Sequence, residues 1–266
     1  MHHKIGIGII TCNREDLFQR AYSGLPDVDR IVVVNDGRPY DADVYRSKKA
    51  EVVQHNRNQG VGISKNDALR FLLDAGCDHI FLSEDDVQIL DSRVIDEYIR
   101  TARVSGIAHF NFAYHGPLNK TPAGVPNPKK IVEYTHGARV ALHRHLPGAF
   151  SYYSARVLNQ VGLMDKLFKN AFDHLDHTYR IIRAGFHPSF GWFADIADSF
   201  RYIKDLDEDL SRSVIRRDWL SFRIRYWTYS TYFMMKHGRM AARIPIVAEE
   251  HVTQELQLLK QRFGTD

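Results

Sequence analysis

The chain has 266 residues, of which 44% are hydrophobic and 26% charged, with a formal net charge of +4. This composition is typical of a folded globular protein and excludes a disordered one. No run approaches the roughly 18 apolar residues of a membrane-spanning helix, and no signal peptide is visible. We therefore expect a cytoplasmic protein whose membrane contact, if any, is peripheral and at the inner face. Cys12 and Cys77 match no metal-binding spacing and are expected to be free thiols.

Short apolar runs alternate with amphipathic segments through the first hundred residues. Strands are predicted around residues 5–10, 31–34, 52–53 and 80–82, and helices around residues 17–22 and 68–72. Every strand ends in polar residues. This β-α-β-β-α-β order predicts an α/β layer with parallel strands.

Three consecutive acids, Glu84, Asp85 and Asp86, follow the buried strand at residues 80–82 and are called the acidic triplet below. Ligands bind at the carboxyl ends of strands in open α/β sheets, and carboxylate oxygens suit Mg²⁺ or Mn²⁺. The alternative is that the triplet caps the next helix, because acids favour helix N-termini.

The second half of the chain is less regular. A helix is predicted around residues 94–104, a strand at 109–114, a long loop rich in Pro, Asn and Gly at 116–130, and a strand with a turn at 147–153. A short helix runs to Gly162, and a helix at 172–184 carries clustered acids and histidines before Gly185. From residue 211 the chain is basic and aromatic.

Taken in order, several polar motifs resemble those of GT-A glycosyltransferases of the inverting family 2, including bacterial polysaccharide enzymes. The matching motifs are Thr11-x-Asn13-Arg14, Asn35-Asp36-Gly37, Asn58-x-Gly60, Lys65-Asn66, the acidic triplet, Gly148-Ala149-Phe150 and Asp173-x-x-Asp176-x-x-x-Arg180. The resemblance covers residues 4–186. It implies an α/β fold of GT-A (Rossmann-like) type, a mixed sheet flanked by helices, over residues 1–210. Residues 1–104 would be the nucleotide-sugar half, 105–210 the acceptor half, and 211–266 a helical, basic and aromatic C-terminal extension.

The resemblance also implies a donor site for a nucleotide sugar, most simply a UDP-sugar. Its residues would be Thr11, Asn13, Arg14, Asp36, Asn58, Gly60, Lys65, Glu84 and Asp85. Asp36, at a strand end, is suited to accept a hydrogen bond from uracil, although Asp-Gly is also a common turn. Thr11 and Arg14 open the first helix, where they can meet ribose or phosphate, although Thr11 could instead be a plain N-cap.

The metal ion, Mn²⁺ or Mg²⁺, is expected to bind Asp86 and to bridge the two phosphates, with Asp85 beside it. The triplet reads Glu-Asp-Asp where the family has an Asp-x-Asp motif. Some GT-A enzymes add a later metal ligand, commonly histidine. The corresponding zone offers Asp195 and Asp198, of which we favour Asp198. Residues 204–209 are a candidate lid or an ordinary surface loop.

The general base of the family lies on the acidic helix, often as an Asp directly after a Glu. Here that pair reads Asp173-His174, so histidine stands in the expected place. Either side chain could remove the acceptor proton, and we favour Asp173 slightly because a carboxylate stays ionised. Asp176 belongs to the same motif, but with Arg180 four residues on it could form only an ion pair. Structural roles are expected for His177 and His187.

An aromatic stripe recurs at helical spacing in the tail, with members Trp219, Phe222, Tyr226, Tyr229 and Phe233. It could pack on the core or rest on an anionic membrane through residues 211–243. We expect the acceptor to be a saccharide or a lipid-linked oligosaccharide of surface polysaccharide synthesis.

Two rival functions are weighed against this one. A sugar-phosphate nucleotidyltransferase would carry a Gly-rich loop after the first strand, but residues 11–14 contain no glycine. A nucleic-acid-binding protein using the basic tail would leave the acidic triplet unexplained, so we expect no nucleic-acid partner.

Overall fold

The protein is described by a computed structural model over residues 3–207 and 219–265. Strands of the described residues are β1 Ile5–Thr11, β2 Arg30–Asn35, β3 Ala50–Gln54, β4 His79–Glu84, β5 Val87–Ile89, β6 His109–Asn111, β7 Lys130–Glu133, β8 Arg139–His143, β9 Phe150–Ser154, β10 Phe193–Ile196 and β11 Ile203–Asp205. The helices are α1 Glu15–Ser23, α2 Val61–Asp74, α3 Arg93–Ser105, α4 Ala155–Val161, α5 Asp173–Arg183, α6 Ser199–Tyr202, α7 Trp219–His237 and α8 Glu249–Phe263.

A six-stranded mixed sheet, in the order β3-β2-β1-β4-β9-β6, forms the centre of the fold. The first four strands of this order are parallel, and β9 runs antiparallel between β4 and β6. Thr11 lies opposite Asn35 on β2, and Ile10 lies opposite Glu84 on β4. The polar residues that end β1, β2 and β4 therefore meet at one edge of the sheet.

Alternation of glycine and isoleucine in β1 explains how α2 packs on this sheet. A Cβ atom at Gly8 would lie 2.8 Å from the Cβ of Ala68, and one at Gly6 would lie 2.7 Å from Leu72 Cδ2. Ile7 and Ile9 point to the opposite face and are buried in the main core. The glycines thus allow α2 to lie close to the sheet, next to the edge where the polar residues meet.

Two smaller sheets complete the fold, and the sequence did not predict them. In one, β8 pairs with β7 and β10; in the other, β5 pairs with β11. The β5–β11 pairing places Asp205 opposite Val87, directly after the acidic triplet. A strand also follows the triplet, so the triplet does not cap a helix, and that alternative is wrong.

The C-terminal helices pack against the rest of the fold. Val252, Leu256 and Leu259 of α8 are buried in the main core, so α8 shares the core of the sheet domain. Phe233 of α7 is fully buried with Phe168 and Phe172. The described residues include no helix that is long and apolar enough to cross a membrane.

Candidate active site

The acidic triplet is held from the side of β1. Thr11 Oγ1 donates to Asp85 Oδ2 (2.8 Å), and the Arg14 guanidinium contacts both Asp85 and Asp86, with 2.9 Å between Nη1 and Asp86 Oδ2. Arg14 is the N-cap residue of α1, which has no side-chain cap. Thr11 is therefore not an N-cap; it orients an aspartate of the triplet, with Tyr40 OH 2.8 Å from its hydroxyl.

Burial and mutual repulsion make the two aspartates of the triplet hard to ionise. Burial, together with the charge of Asp86, raises the pKa of Asp85 to about 7 although Arg14 opposes this. Burial also raises the pKa of Asp86, as does the nearby Glu84. Asp86 Oδ1 is buried, and none of the described residues hydrogen-bonds it. A buried carboxylate oxygen without a partner is costly, so this position fits a bound cation.

Lys65 links the triplet to the acidic helix α5. Its ammonium lies 2.8 Å from Glu84 Oε1 and 3.3 Å from Asp173 Oδ2, and it donates to the Gly148 carbonyl oxygen (2.9 Å). Lys65 is only 2% exposed. Burial opposes its charge, yet Glu84 and Asp173 raise the pKa of Lys65 above its ordinary value. The ammonium is therefore a fixed positive charge between two carboxylates.

Asp173 and His174 begin α5 and lie in different surroundings. The Asp173 carboxylate is 2% exposed; burial would raise its pKa, but Lys65 and His174 hold it well below the ordinary range. The side chain of His174 is 27% exposed, with Nδ1 3.6 Å from Asp173 Oδ1. Its ring lies over Gly148, where a Cβ atom would come within 2.6 Å of the ring. Asp173 is thus locked in an ion pair, and His174 is the accessible member.

Asp36 holds the loop that precedes α2. Its Oδ2 accepts from the Gly60 amide (2.8 Å), and its Oδ1 accepts from the Gln59 amide (2.6 Å) and lies 2.7 Å from His55 Nδ1. Asn58 donates to the Asp36 backbone oxygen (3.1 Å). Gly60 has a φ of +96°, which favours glycine.

Asn13 lies across this edge from Asp36. Its φ is +56°, and its Oδ1 accepts from the Arg38 amide (2.8 Å). Beyond His55, a cavity of about 500 Å³ opens at the end of β3 and the start of α2. Its lining residues are Gln54, His55, Asn56, Arg57, Gln59, Ile63 and Asp67. The predicted donor-site residues are therefore together at the carboxyl edge of the parallel strands.

Two predicted site residues lie elsewhere in the structure. Asp176 is fully buried and engaged by Arg180, Lys236 and His237, so its surroundings do not fit the catalytic role predicted for it. Asp198 contacts Arg139 Nη1 at 3.1 Å. Within the described part of the chain, it has no contact with Asp85 or Asp86. Its prediction as a metal ligand is not supported.

Asp195, the other acid of that zone, is engaged in hydrogen bonds within the fold. It is fully buried and accepts from Tyr98 OH (2.5 Å), Ser199 Oγ (2.6 Å) and the Ala113 amide (2.9 Å). The carboxylate ties α3 and α6 to the end of β10. Its role is therefore structural.

The pair His115–Asp205 lies beside the triplet and was not anticipated. Their side chains are 3.2 Å apart (Nδ1 to Oδ1), and the Leu206 amide donates to the Asp86 carbonyl oxygen (2.7 Å). Burial would lower the pKa of His115, but Asp205 and Asp86 raise it. In the sequence both residues lie in irregular stretches, and only the pairing of β5 with β11 brings them here. Across residues 3–207 and 219–265, no three His, Cys, Asp or Glu side chains form a ready-made metal site.

Comparison of the sequence with known proteins finds a relative among glycosyltransferases. No protein-family model matches the chain. The chain is 24% identical, over 84% of its length and 90% of the relative's, to an uncharacterised glycosyltransferase, R363, of Acanthamoeba polyphaga mimivirus.

Two solved structures share the architecture. One is that of residues 1–349 of TarS from S. aureus, with a TM-score of 0.56 and 16% identity over 95% of this chain and 69% of that one. The other is the mannosyltransferase PcManGT from Pyrobaculum calidifontis in complex with GDP-Man and Mn²⁺, with a TM-score of 0.56 and 12% identity over 98% of this chain and 71% of that one. The predicted GT-A-like mixed sheet flanked by helices is confirmed, and the viral relative supports the prediction of a glycosyltransferase enzyme.

Proposed function

We propose that this protein is a metal-dependent, inverting glycosyltransferase that moves a sugar from a nucleotide diphosphate sugar to a saccharide acceptor. The observation that carries this proposal is the acidic triplet at the carboxyl edge of the parallel strands, with the unpartnered Asp86 Oδ1 within it. Similarity to a viral glycosyltransferase supports the reaction class.

Asp86, with Asp85 beside it, would hold Mn²⁺ or Mg²⁺, which when bound neutralises the charge of the leaving diphosphate. Few protein ligands are needed, because such ions commonly bind one or two carboxylates together with substrate phosphates. Arg14, which already contacts both aspartates, adds a second positive charge at the same edge. His115 contributes near Asp86 as well, because Asp205 and Asp86 raise the pKa of its imidazole.

His174 is the proposed proton acceptor for the acceptor hydroxyl. The sequence slightly favoured Asp173, but that carboxylate is buried and paired with Lys65, which makes it a weak base. A neutral imidazole accepts a proton near neutral pH. Asp173 then stabilises the imidazolium, with its Oδ1 3.6 Å from His174 Nδ1. Attack by the deprotonated hydroxyl from the side opposite the diphosphate inverts the anomeric centre.

For the donor we propose a UDP-sugar. Each carboxylate oxygen can accept about two hydrogen bonds. Asp36 Oδ1 has both His55 and Gln59 as partners, whereas Oδ2 has the Gly60 amide. Oδ2 can therefore accept one more hydrogen bond, such as that of the uracil N3–H group.

A lipid-linked acceptor and peripheral membrane contact are proposed from the outer face of α7. Ile224, Trp227 and Met235 recur on one side of the helix, and their exposed fractions are 59%, 57% and 76%. Residues 219–243 contain five Lys or Arg and no acid. Exposed apolar residues with basic neighbours are typical of helices that lie on anionic membranes. The remainder of the predicted membrane segment, residues 211–218, lies outside the described residues.

A thermal-shift panel tests donor binding. UDP-sugars with Mn²⁺ should raise the melting temperature of the wild type, and GDP-sugars should not. Asp86→Ala should lose the shift, whereas Asp27→Ala, at a fully exposed acid, should keep it. Equal shifts in wild type and Asp86→Ala would show that the triplet does not bind the donor. Equal shifts with UDP-sugars and GDP-sugars would show that Asp36 does not select the base.

A further inference from the structure

Helix α7 is attached to the acidic helix at a buried carboxylate. Asp176 Oδ1 lies 2.7 Å from His237 Nε2 and 2.9 Å from Lys236 Nζ, and Oδ2 accepts from Arg180 Nε at 3.0 Å. Asp176 is fully buried, and it lies one turn after Asp173 on α5. A contact at this point constrains the same turn that presents His174.

The residue at the start of α5 has an unusual backbone. Phe172 is the N-cap of the helix, with a φ of +67° in the left-handed region. Bulky side chains rarely adopt this conformation, and it persists where the surroundings require it. The ring of Phe172 packs on two rings of α7, with centroid distances of 5.3 Å to Tyr226 and 5.9 Å to Phe233.

The segment before Phe172 is also held from the donor side. The Gly62 amide of α2 donates to the Lys169 carbonyl oxygen (2.9 Å), and a Cβ atom at Gly62 would lie 2.5 Å from the Phe168 carbonyl oxygen. Phe168 in turn packs on Tyr232 of α7, with 4.9 Å between ring centroids. Residues 168–172 are therefore fixed between α2 and α7.

We propose that α7 positions the catalytic turn of α5, with His237 and Tyr226 as positioning residues. This inference rests on the proposed function, and it gives the C-terminal helix a part in turnover beyond membrane contact. His237 acts through Asp176, and Tyr226 acts through Phe172. Together they set the direction in which Asp173 meets Lys65 and His174 faces the acceptor.

Substitutions at the two positions test this in the full chain. His237→Ala removes the contact with Asp176, whereas His237→Gln keeps an N–H donor. Tyr226→Ala removes a partly exposed ring that packs on Phe172 and is the milder change. His251→Ala, on the exposed side of α8, is the matched histidine control.

Two readouts are needed. The Asp176 amide donates to the Phe172 carbonyl oxygen (2.8 Å). We expect His237→Ala and Tyr226→Ala to speed hydrogen exchange of this amide at least tenfold while exchange in β1 and β4 stays unchanged. The kcat for transfer should fall at least tenfold with donor KM within twofold, and His237→Gln should recover most of the loss. His251→Ala should match the wild type in both measurements.

Either of two results would overturn the proposal. One is wild-type exchange and kcat in both His237→Ala and Tyr226→Ala. The other is a loss of kcat accompanied by equally faster exchange across the central sheet, which would mean general destabilisation. A wild type that binds and turns over no nucleotide sugar would instead defeat the proposed function, and the exchange result would still decide whether α7 fixes this turn.

Discussion

Lys65 is the residue on which the charge balance of the site depends most. It lies between Glu84 and Asp173, so the donor edge and the acidic helix share one buried cation. The family motif predicted Lys65 as a donor-site residue, but no sequence pattern indicated that it joins the two halves. That role depends on a contact between residues 108 positions apart.

Replacing Lys65 with methionine should be strongly destabilising. Methionine fills a similar volume but leaves two carboxylates without their cation, and breaking a buried ion pair from one side costs about 3–5 kcal/mol. Urea unfolding at pH 7 measures this change. The control is Lys130→Met, which loses a partly exposed contact with Glu249 and should cost less than about 1 kcal/mol. Equal stability of the two variants would contradict the role given to Lys65.

His174→Gln should lower kcat about a hundredfold or more, because positioned bases contribute on the order of 10²–10⁴-fold. The donor KM and the melting temperature should change little, since the ring is partly exposed and its ion-pair partner Asp173 keeps its contact with Lys65. Steady-state kinetics at saturating acceptor are the measurement. If the variant retains more than a tenth of the wild-type kcat, His174 is not the base.

At the scale of elements, local patterns predicted the strands and helices that carry their own signal. The apolar runs ending in polar residues correspond to β1, β2, β3 and β4, and the helix stopped by Gly185 corresponds to α5. The sequence missed the β5–β11 and β7–β8–β10 pairings. Their strands have three to five residues each, and what defines them is pairing with distant segments.

The sequence predicted the part of the site that depends on strand order and missed the part that depends on contacts between distant elements. Residues at the ends of parallel strands could be grouped from the strand order alone, and they do lie at one edge. His115 with Asp205, and Asp176 with His237, could not be foreseen, because each pair joins separate elements without a spacing rule.

Helix α7 has two apolar sides, and this changes how its role is tested. The predicted aromatic stripe packs inward at Tyr229 and Phe233, which confirms the core interpretation for those residues; the side chain of Trp219 lies outside the described residues. Cutting the chain near residue 210 would therefore expose Phe168 and Phe172 as well as remove the outer face. Single changes on the outer face are the cleaner test.

Trp227→Gln should weaken sedimentation with vesicles rich in phosphatidylserine and should spare turnover of a soluble acceptor. The side chain is exposed, so its loss opens no cavity and the fold should be unaffected. Without the indole, the helix loses an apolar group that favours the membrane interface over water. Neutral vesicles should bind the wild type weakly. Unchanged sedimentation with anionic vesicles would exclude this face as the membrane contact.

For the whole molecule, buried histidines predict sensitivity to acid. Burial lowers the pKa of His143, His177 and His187 to about 4, and it lowers that of His109 well below its ordinary value. Unfolded histidine has a pKa of about 6.5, so the unfolded chain binds more protons between these values. Their contribution to stability is complete above pH 6.5 and is lost as the pH falls towards 4.

Each of these histidines should lower the free energy of unfolding by about 2 kcal/mol as the pH falls from 7 to 5. Asp85 and Asp195, whose pKa values are raised to about 7, act in the opposite direction and offset part of the loss. Because the histidines are more numerous, the free energy of unfolding in urea should fall over this range. A constant or rising value would contradict the neutral state assigned to the buried rings.

The most direct test of the account is the initial rate of nucleotide release from UDP-sugars with Mn²⁺ and a mixture of saccharide acceptors. Wild type and Asp27→Ala should turn over at equal rates, excess EDTA should stop both, and Asp86→Ala should lose at least a thousandfold while keeping its melting temperature. Arg14 keeps its contact with Asp85 in this variant, and the loss of Asp86 relieves the repulsion between neighbouring acids, so the fold should stay intact. Wild-type turnover by Asp86→Ala, or undiminished turnover in EDTA, would contradict a metal-dependent transferase centred on the acidic triplet.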